Sequence, residues 1–174
     1  MPFVDPHNYK HDRVDIFISG SHADGKIEVL AEKLKRSGFS IFHSGLGLPP
    51  GLEYTVYIQH YLEHSKTILV CWSNHSVRSE WVNAEAEYAR VNNRLVACKI
   101  ETCHPLPPFN TFQTVDLSGW KGDDSNTQWA RLLDLLKHRS SGKLSEFSQL
   151  AGVERQDDMK EANVKNWFAR IFGR

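Results

Sequence analysis

Two rhythms of apolar residues alternate along this chain. Val14-Asp15-Ile16-Phe17-Ile18 is a short β-branched and aromatic run closed by Ser19-Gly20-Ser21, which predicts a strand and then a turn. Ile27, Leu30, Ala31 and Leu34 then follow the i, i+3, i+4, i+7 spacing of an amphipathic helix, with Asp24 placed to cap it and Gly38 to end it. Residues 39–43 read as a second strand. Residues 44–52 hold three glycines and two prolines and read as a loop. A helix through Val56, Tyr57, Tyr61 and Leu62 follows, then a wholly apolar strand, Thr67–Trp72. Residues 81–91 are helical in pattern, 95–100 and 114–117 are strands, and 129–136 is a helix carrying Leu132, Leu133, Leu135 and Leu136.

Strands alternating with helices imply βαβ units and a parallel sheet. An unbroken apolar strand such as Ile68-Leu69-Val70-Cys71-Trp72 fits a sheet covered on both faces. The expected fold is therefore α/β, a flavodoxin-like three-layer sandwich whose five-stranded parallel sheet has the order 2-1-3-4-5. Ligands of such sheets sit at the carboxyl ends of the strands where the order reverses, between the first and third. The loops after Ile18 and Trp72 should flank any pocket. Beyond His138 the pattern changes. Residues 139–158 are polar, and 159–172 regain a helical period through Val164, Trp167, Phe168, Ile171 and Phe172. A lone short helix is marginal in water and must pack on something, most simply protein. The expected divisions are an extension at 1–12, a domain at 13–139, and a polar linker with an amphipathic helix at 140–174.

Charge narrows the function classes. The 174 residues carry 21 Lys plus Arg against 21 Asp plus Glu, so no basic excess exists to hold a nucleic acid. No apolar run approaches the roughly 18 residues of a membrane span, and residues 1–13 have no signal-peptide core, so a cytoplasmic location is expected. The three cysteines lack C-x-x-C spacing. Cys71 and Cys98 read as small buried hydrophobes in a reducing compartment, and Cys103 as an exposed loop residue.

The chemistry centres on the helix that starts near Ser79. At about 100° per residue, Trp81, Val82, Ala86, Tyr88 and Ala89 form one stripe, and Glu85 falls within it. Glu80, Asn83, Glu87 and Arg90 face the other way. A carboxylate against the sheet is costly unless partnered. Beside the predicted crevice it is a candidate general base or stabiliser of developing positive charge. The alternative is that Glu85 pairs with a backbone or basic group at the edge of the core.

Four segments resemble those of TIR (Toll/interleukin-receptor) domains in the same order. Asp15-Ile16-Phe17-Ile18-Ser19 resembles their opening strand, and Leu48-Pro49-Pro50-Gly51 their BB loop. Ser79-Glu80-Trp81-Val82-Asn83-Ala84-Glu85 is similar to their S-x-W-x-x-x-E stretch, and Val115-Asp116-Leu117-Ser118 to the segment closing bacterial members. The resemblance spans residues 13–138. It implies an NAD+ nucleosidase, hydrolase or ADP-ribosyl cyclase, that cleaves the nicotinamide–ribose bond, is activated by TIR self-association, and serves bacterial immune signalling or cell death. Glu85 would be catalytic. Ser19, Gly20 and Ser21 would line the site, Phe42 and His43 would flank the ribose or base, Ser79 and Trp81 would shape the pocket, and Pro49, Pro50 and Gly51 would gate it. Gly20 stands where the family often has tyrosine, Ser44 where it often has an acid, and His43 where it often has an aromatic. Those departures motivate a second reading, a non-catalytic assembly or adaptor module that recruits other TIR domains.

Other signals are weaker. His60-Tyr61-Leu62-Glu63-His64 matches a zinc-protease pattern but lacks a third ligand nearby, so no metal is expected. No G-x-G-x-x-G follows a strand and no Walker loop occurs, so NAD+ would be substrate and not redox cofactor. A phosphorelay receiver would need an aspartate at the end of the third strand, where this chain has Cys71-Trp72-Ser73. A nucleoside deoxyribosyltransferase shares the expected sheet and an active-site glutamate, and only the TIR motifs argue against it.

Overall fold

A computed structural model describes residues 13–21, 23–43 and 54–141, and the side chains of these apart from Tyr54 and Val56. Five strands, β1 (Ile16–Ser19), β2 (Ile41–His43), β3 (Thr67–Trp72), β4 (Leu95–Lys99) and β5 (Thr114–Asp116), form one parallel sheet ordered β2-β1-β3-β4-β5. Four helices, α1 (Lys26–Arg36), α2 (Tyr54–His64), α3 (Glu80–Val91) and α4 (Thr127–Ser140), connect and follow the strands.

Strand alternation divides the core in two. Ile16 and Ile18, Leu69 and Cys71, and Val96 and Cys98 pack against α1 and α4. Phe17, Ile68, Val70, Trp72 and Ala97 pack against α2 and α3. All six residues of β3 are buried, as its central place requires. The cross-strand neighbours Cys71 and Cys98 are both buried thiols, with sulfurs 3.7 Å apart.

Three sequence expectations change. The expected second strand loses Phe39 and Ser40, because Phe39 donates its N–H to Leu34 O and so belongs to the end of α1; Gly38, at φ +92°, makes that reversal. Asp24 does not cap α1 through its side chain; Gly25 takes the capping position, and Asp24 turns elsewhere. Cys103 lies in a loop as expected, yet it is buried beside Phe109 in the α2–α3 core, where burial raises its thiol pKa. On α4, Trp129, Leu132 and Leu136 are buried, whereas Leu133 is half-buried and Leu135 exposed. The expected linker begins too early, since Arg139 and Ser140 belong to α4; its remainder from 142 and the expected helix at 159–172 lie outside the described residues.

Arg94, just before β4, donates to the carbonyls of Leu62, Glu63 and Ser65 at the end of α2 and to Tyr88 Oη on α3. The last carbonyls of a helix have no partner within it, so a planar guanidinium with five donors meets a real need here. No described helix is long and apolar enough to cross a membrane.

Candidate active site

β1 ends at the carboxyl edge of the sheet with Ser19, whose side chain follows Phe17 toward α3. α3 begins beside the carboxyl end of β3 and runs back over the sheet. Ser79 is its N-cap: Ser79 Oγ accepts the Val82 N–H at 3.3 Å. The side-chain amide of Asn83 reinforces the same turn by donating to the carbonyls of Val77 and Ser79. This start sets the phase of the helix, so that Val82, Ala84, Glu85, Ala86, Tyr88 and Ala89 are buried.

Glu85 is 6% exposed and Ser19 1% exposed. Ser19 Oγ donates to Glu85 Oε2 at 2.5 Å, across 66 residues of sequence. Burial pushes the Glu85 carboxyl up to about 7, and the bond from Ser19 acts in the opposite direction. Glu85 makes no ion pair among the described residues. Nothing basic therefore neutralises it there, and the structural alternative left open by the sequence reduces to one hydroxyl partner. Glu80 is exposed, and the half-buried Glu87 is held in a two-pronged ion pair by Arg90.

The remaining expected site residues are placed unevenly. Trp81, one turn before Glu85, is half-buried and not within the buried stripe. Gly20 follows Ser19, and a β-carbon there would collide with Ile27 Cδ1 and approach Cys71 Cβ to 3.3 Å. The hydroxyl oxygen of Ser21, at the surface of the same loop, accepts the Ala23 N–H. Phe42 lies on the Glu85 face but is buried in an aromatic stack, its ring centroid 4.1 Å from that of Tyr61 and the two rings nearly parallel. His43 is buried, and strand alternation sends it after Ile41 toward the α1 side, away from Glu85. Pro49, Pro50 and Gly51 lie outside the described residues.

A second buried carboxylate stands on the opposite side of β3. Asp24, 5% exposed, accepts Ser73 Oγ at 2.5 Å through Oδ2 and faces His75 Nδ1 at 3.3 Å through Oδ1. Ser73 and Ser76 complete the turn: the Ser73 N–H donates to Ser76 Oγ at 2.6 Å and the Ser76 N–H to Ser73 Oγ at 3.0 Å. This network ties the loop after β1 to the loop after β3. The sequence reading missed it, because Asp24 beside a helix start reads as a local cap.

Comparison with known proteins agrees with this architecture. The family described as TIR domain matches residues 16–133. The TIR domain of the Toll-related receptor TRR-2 from Hydra magnipapillata superposes with a TM-score of 0.59 at 18% identity, covering 71% of this chain and 98% of that one. A metazoan TIR-STING receptor from C. gigas, solved in complex with 2',3'-cGAMP, gives a TM-score of 0.54 at 18% identity over 71% of this chain. This chain spans only 39% of that receptor. None of the curated proteins matches. At such identities the two structures speak for the fold alone, while the family match extends from β1 into α4 and covers most of the described residues. The chain belongs to the TIR-domain family.

Proposed function

We propose that this domain is an NAD+ nucleosidase with Glu85 as its catalytic carboxylate. The observation that carries the reading is the buried Glu85 carboxyl at the carboxyl edge of the sheet, held by one hydroxyl and by no cation among the described residues. Rupture of the bond between ribose C1′ and the nicotinamide nitrogen gives an oxocarbenium-like ribose, and the bonding pair leaves with neutral nicotinamide. No strong acid is needed for that departure. An ionised carboxylate beside the ribose stabilises the positive charge and orients the hydroxyls. Water then adds at C1′ and loses a proton to give ADP-ribose, or an adenine nitrogen adds to give a cyclic product. With its carboxyl near 7, Glu85 is about half ionised at neutral pH, and a cationic pyridinium entering the site favours the charged form. At 6% exposure Glu85 must be uncovered before substrate reaches it. Association of TIR domains is the proposed trigger.

The test is NAD+ loss by the protein at high concentration with a crowding agent, beside Glu85→Gln, with products separated by chromatography. Nicotinamide from the first and none from the second supports the assignment. Equal specific activity across a wide concentration range would overturn the role of assembly.

One observation favours a second reading. Ser19, Phe42 and Glu85 are all packed closed, which suits a module that recruits other TIR domains without catalysis. Partner binding that survives Glu85→Gln, with no NAD+ consumed by either protein when assembled, would decide for it.

A further inference from the structure

Ser19 was expected to line the site as a substrate contact. Its surroundings give it another task. It is 1% exposed and lies in β1 opposite Val70 of β3. Its single hydroxyl hydrogen is directed at Glu85 Oε2, 2.5 Å away. A hydroxyl that gives its only hydrogen to a buried carboxylate cannot give it to a ligand at the same time.

We infer that Ser19 is a positioning residue that acts through Glu85, fixing the carboxylate against β1 and favouring its ionised form. The argument rests on geometry. Glu85 is attached to α3, and Ser19 to the strand beneath it, so the bond fixes the far end of a side chain that otherwise has several rotamers. Both groups are out of water, so the hydroxyl takes the place of the solvent that an exposed carboxylate would have. The bond is strong only in one protonation state. Toward a carboxylate the serine is a charge-assisted donor, and toward a carboxylic acid it is an ordinary neutral partner. The direction of its influence on the Glu85 carboxyl, opposing burial, agrees. Removing the hydroxyl should therefore leave the Glu85 carboxyl unfastened and harder to ionise.

The inference rests on the proposed enzyme reading only for its kinetic arm. The primary test is a carbon-13 NMR titration of the glutamate side-chain carboxyls in the whole chain, with the Glu85 signal assigned by its loss in Glu85→Gln. Ser19→Ala, which removes one atom from a buried position, should raise the Glu85 midpoint by about one unit or more. Ser19→Thr, which keeps the hydroxyl, should hold it near the original value. An unchanged midpoint in Ser19→Ala would overturn the inference whether or not the protein cleaves NAD+. In the kinetic arm, a one-unit rise in the free protein lowers kcat/KM at pH 7 about fivefold, and the loss is recovered near pH 9. A raised KM with an unshifted pH profile would instead show that Ser19 touches substrate. No NAD+ loss by the unaltered protein would sink the enzyme reading and leave the titration to judge Ser19 alone.

Discussion

Glu85 and Asp24 are both buried carboxylates at the carboxyl end of the sheet, on opposite sides of β3, yet their surroundings differ in kind. Asp24 sits in a turn in which Ser73, Ser76 and His75 interlock. Among the described residues Glu85 has a single neutral partner, Ser19. A carboxylate with both oxygens engaged serves best as a tie between loops. One with a single donor, in a dry site, has an electrostatic need that a ligand can meet. The contrast teaches that burial alone does not mark a reactive acid; burial with an incomplete set of partners does.

Four measurements would break or sharpen that contrast. The largest effect is expected from Glu85→Gln, which keeps the shape and removes the charge; NAD+ cleavage should fall by about a thousandfold, while Asp24→Asn should retain measurable cleavage. Comparable losses in the two would dissolve the distinction.

Next is the pH dependence of stability. Burial raises the Glu85 carboxyl from 4.5 in the unfolded chain to about 7. Between those values the folded state holds more protons than the unfolded one, so stability falls as pH rises through this window and levels off above it. The loss from Glu85 between pH 4 and pH 8 should be roughly 3 kcal/mol. Urea unfolding should show it as a difference between the unaltered protein and Glu85→Gln, since Asp15, Glu87 and Asp116, whose carboxyls are held low by their hydrogen bonds, are common to both.

Asp24→Ala should cost about 2 kcal/mol, because it strips Ser73 of a buried partner and unties the two loops. A melting temperature equal to that of the unaltered protein would mean that the network carries little. The smallest effect belongs to His75→Ala. Its side chain is 66% exposed, so its contact with Asp24 should be worth less than about 1 kcal/mol in the same unfolding experiment.

The fold was legible because its strongest signals are local. β3 carries five apolar residues in a row, Ile68 to Trp72, and the 3.6-residue spacing of α1 and α3 is intact in the sequence. Glu85 could be found because helical phase is arithmetic: once Ser79 starts the helix, the side on which each residue falls is fixed. What failed depended on how the elements pack and face one another. Asp24 has the right type and place for a cap, but its carboxylate answers to Ser73, 49 residues on. Cys103 is in a loop by every local sign, yet it is buried as part of the core cluster on the α2–α3 side of the sheet. Phe42 and His43 were expected as one pair beside the ligand, yet adjacent strand residues point to opposite faces. Trp81 lies at the margin of its stripe and so ends half-buried.

The Arg94 clasp bears on how α2 and α3 can move relative to each other. Both α2 and α3 run back from the carboxyl edge of the sheet, and Arg94 fastens them near their final turns, at the far edge. Two rods joined at one end behave as tongs: they part at the tips by turning and not by sliding. α2 has eleven residues and is about 16 Å long, so a tilt of about 10° would move its leading end by about 3 Å while the fastened end stays put. A load on the front of α2 would therefore part its leading end from that of α3 while the clasp held.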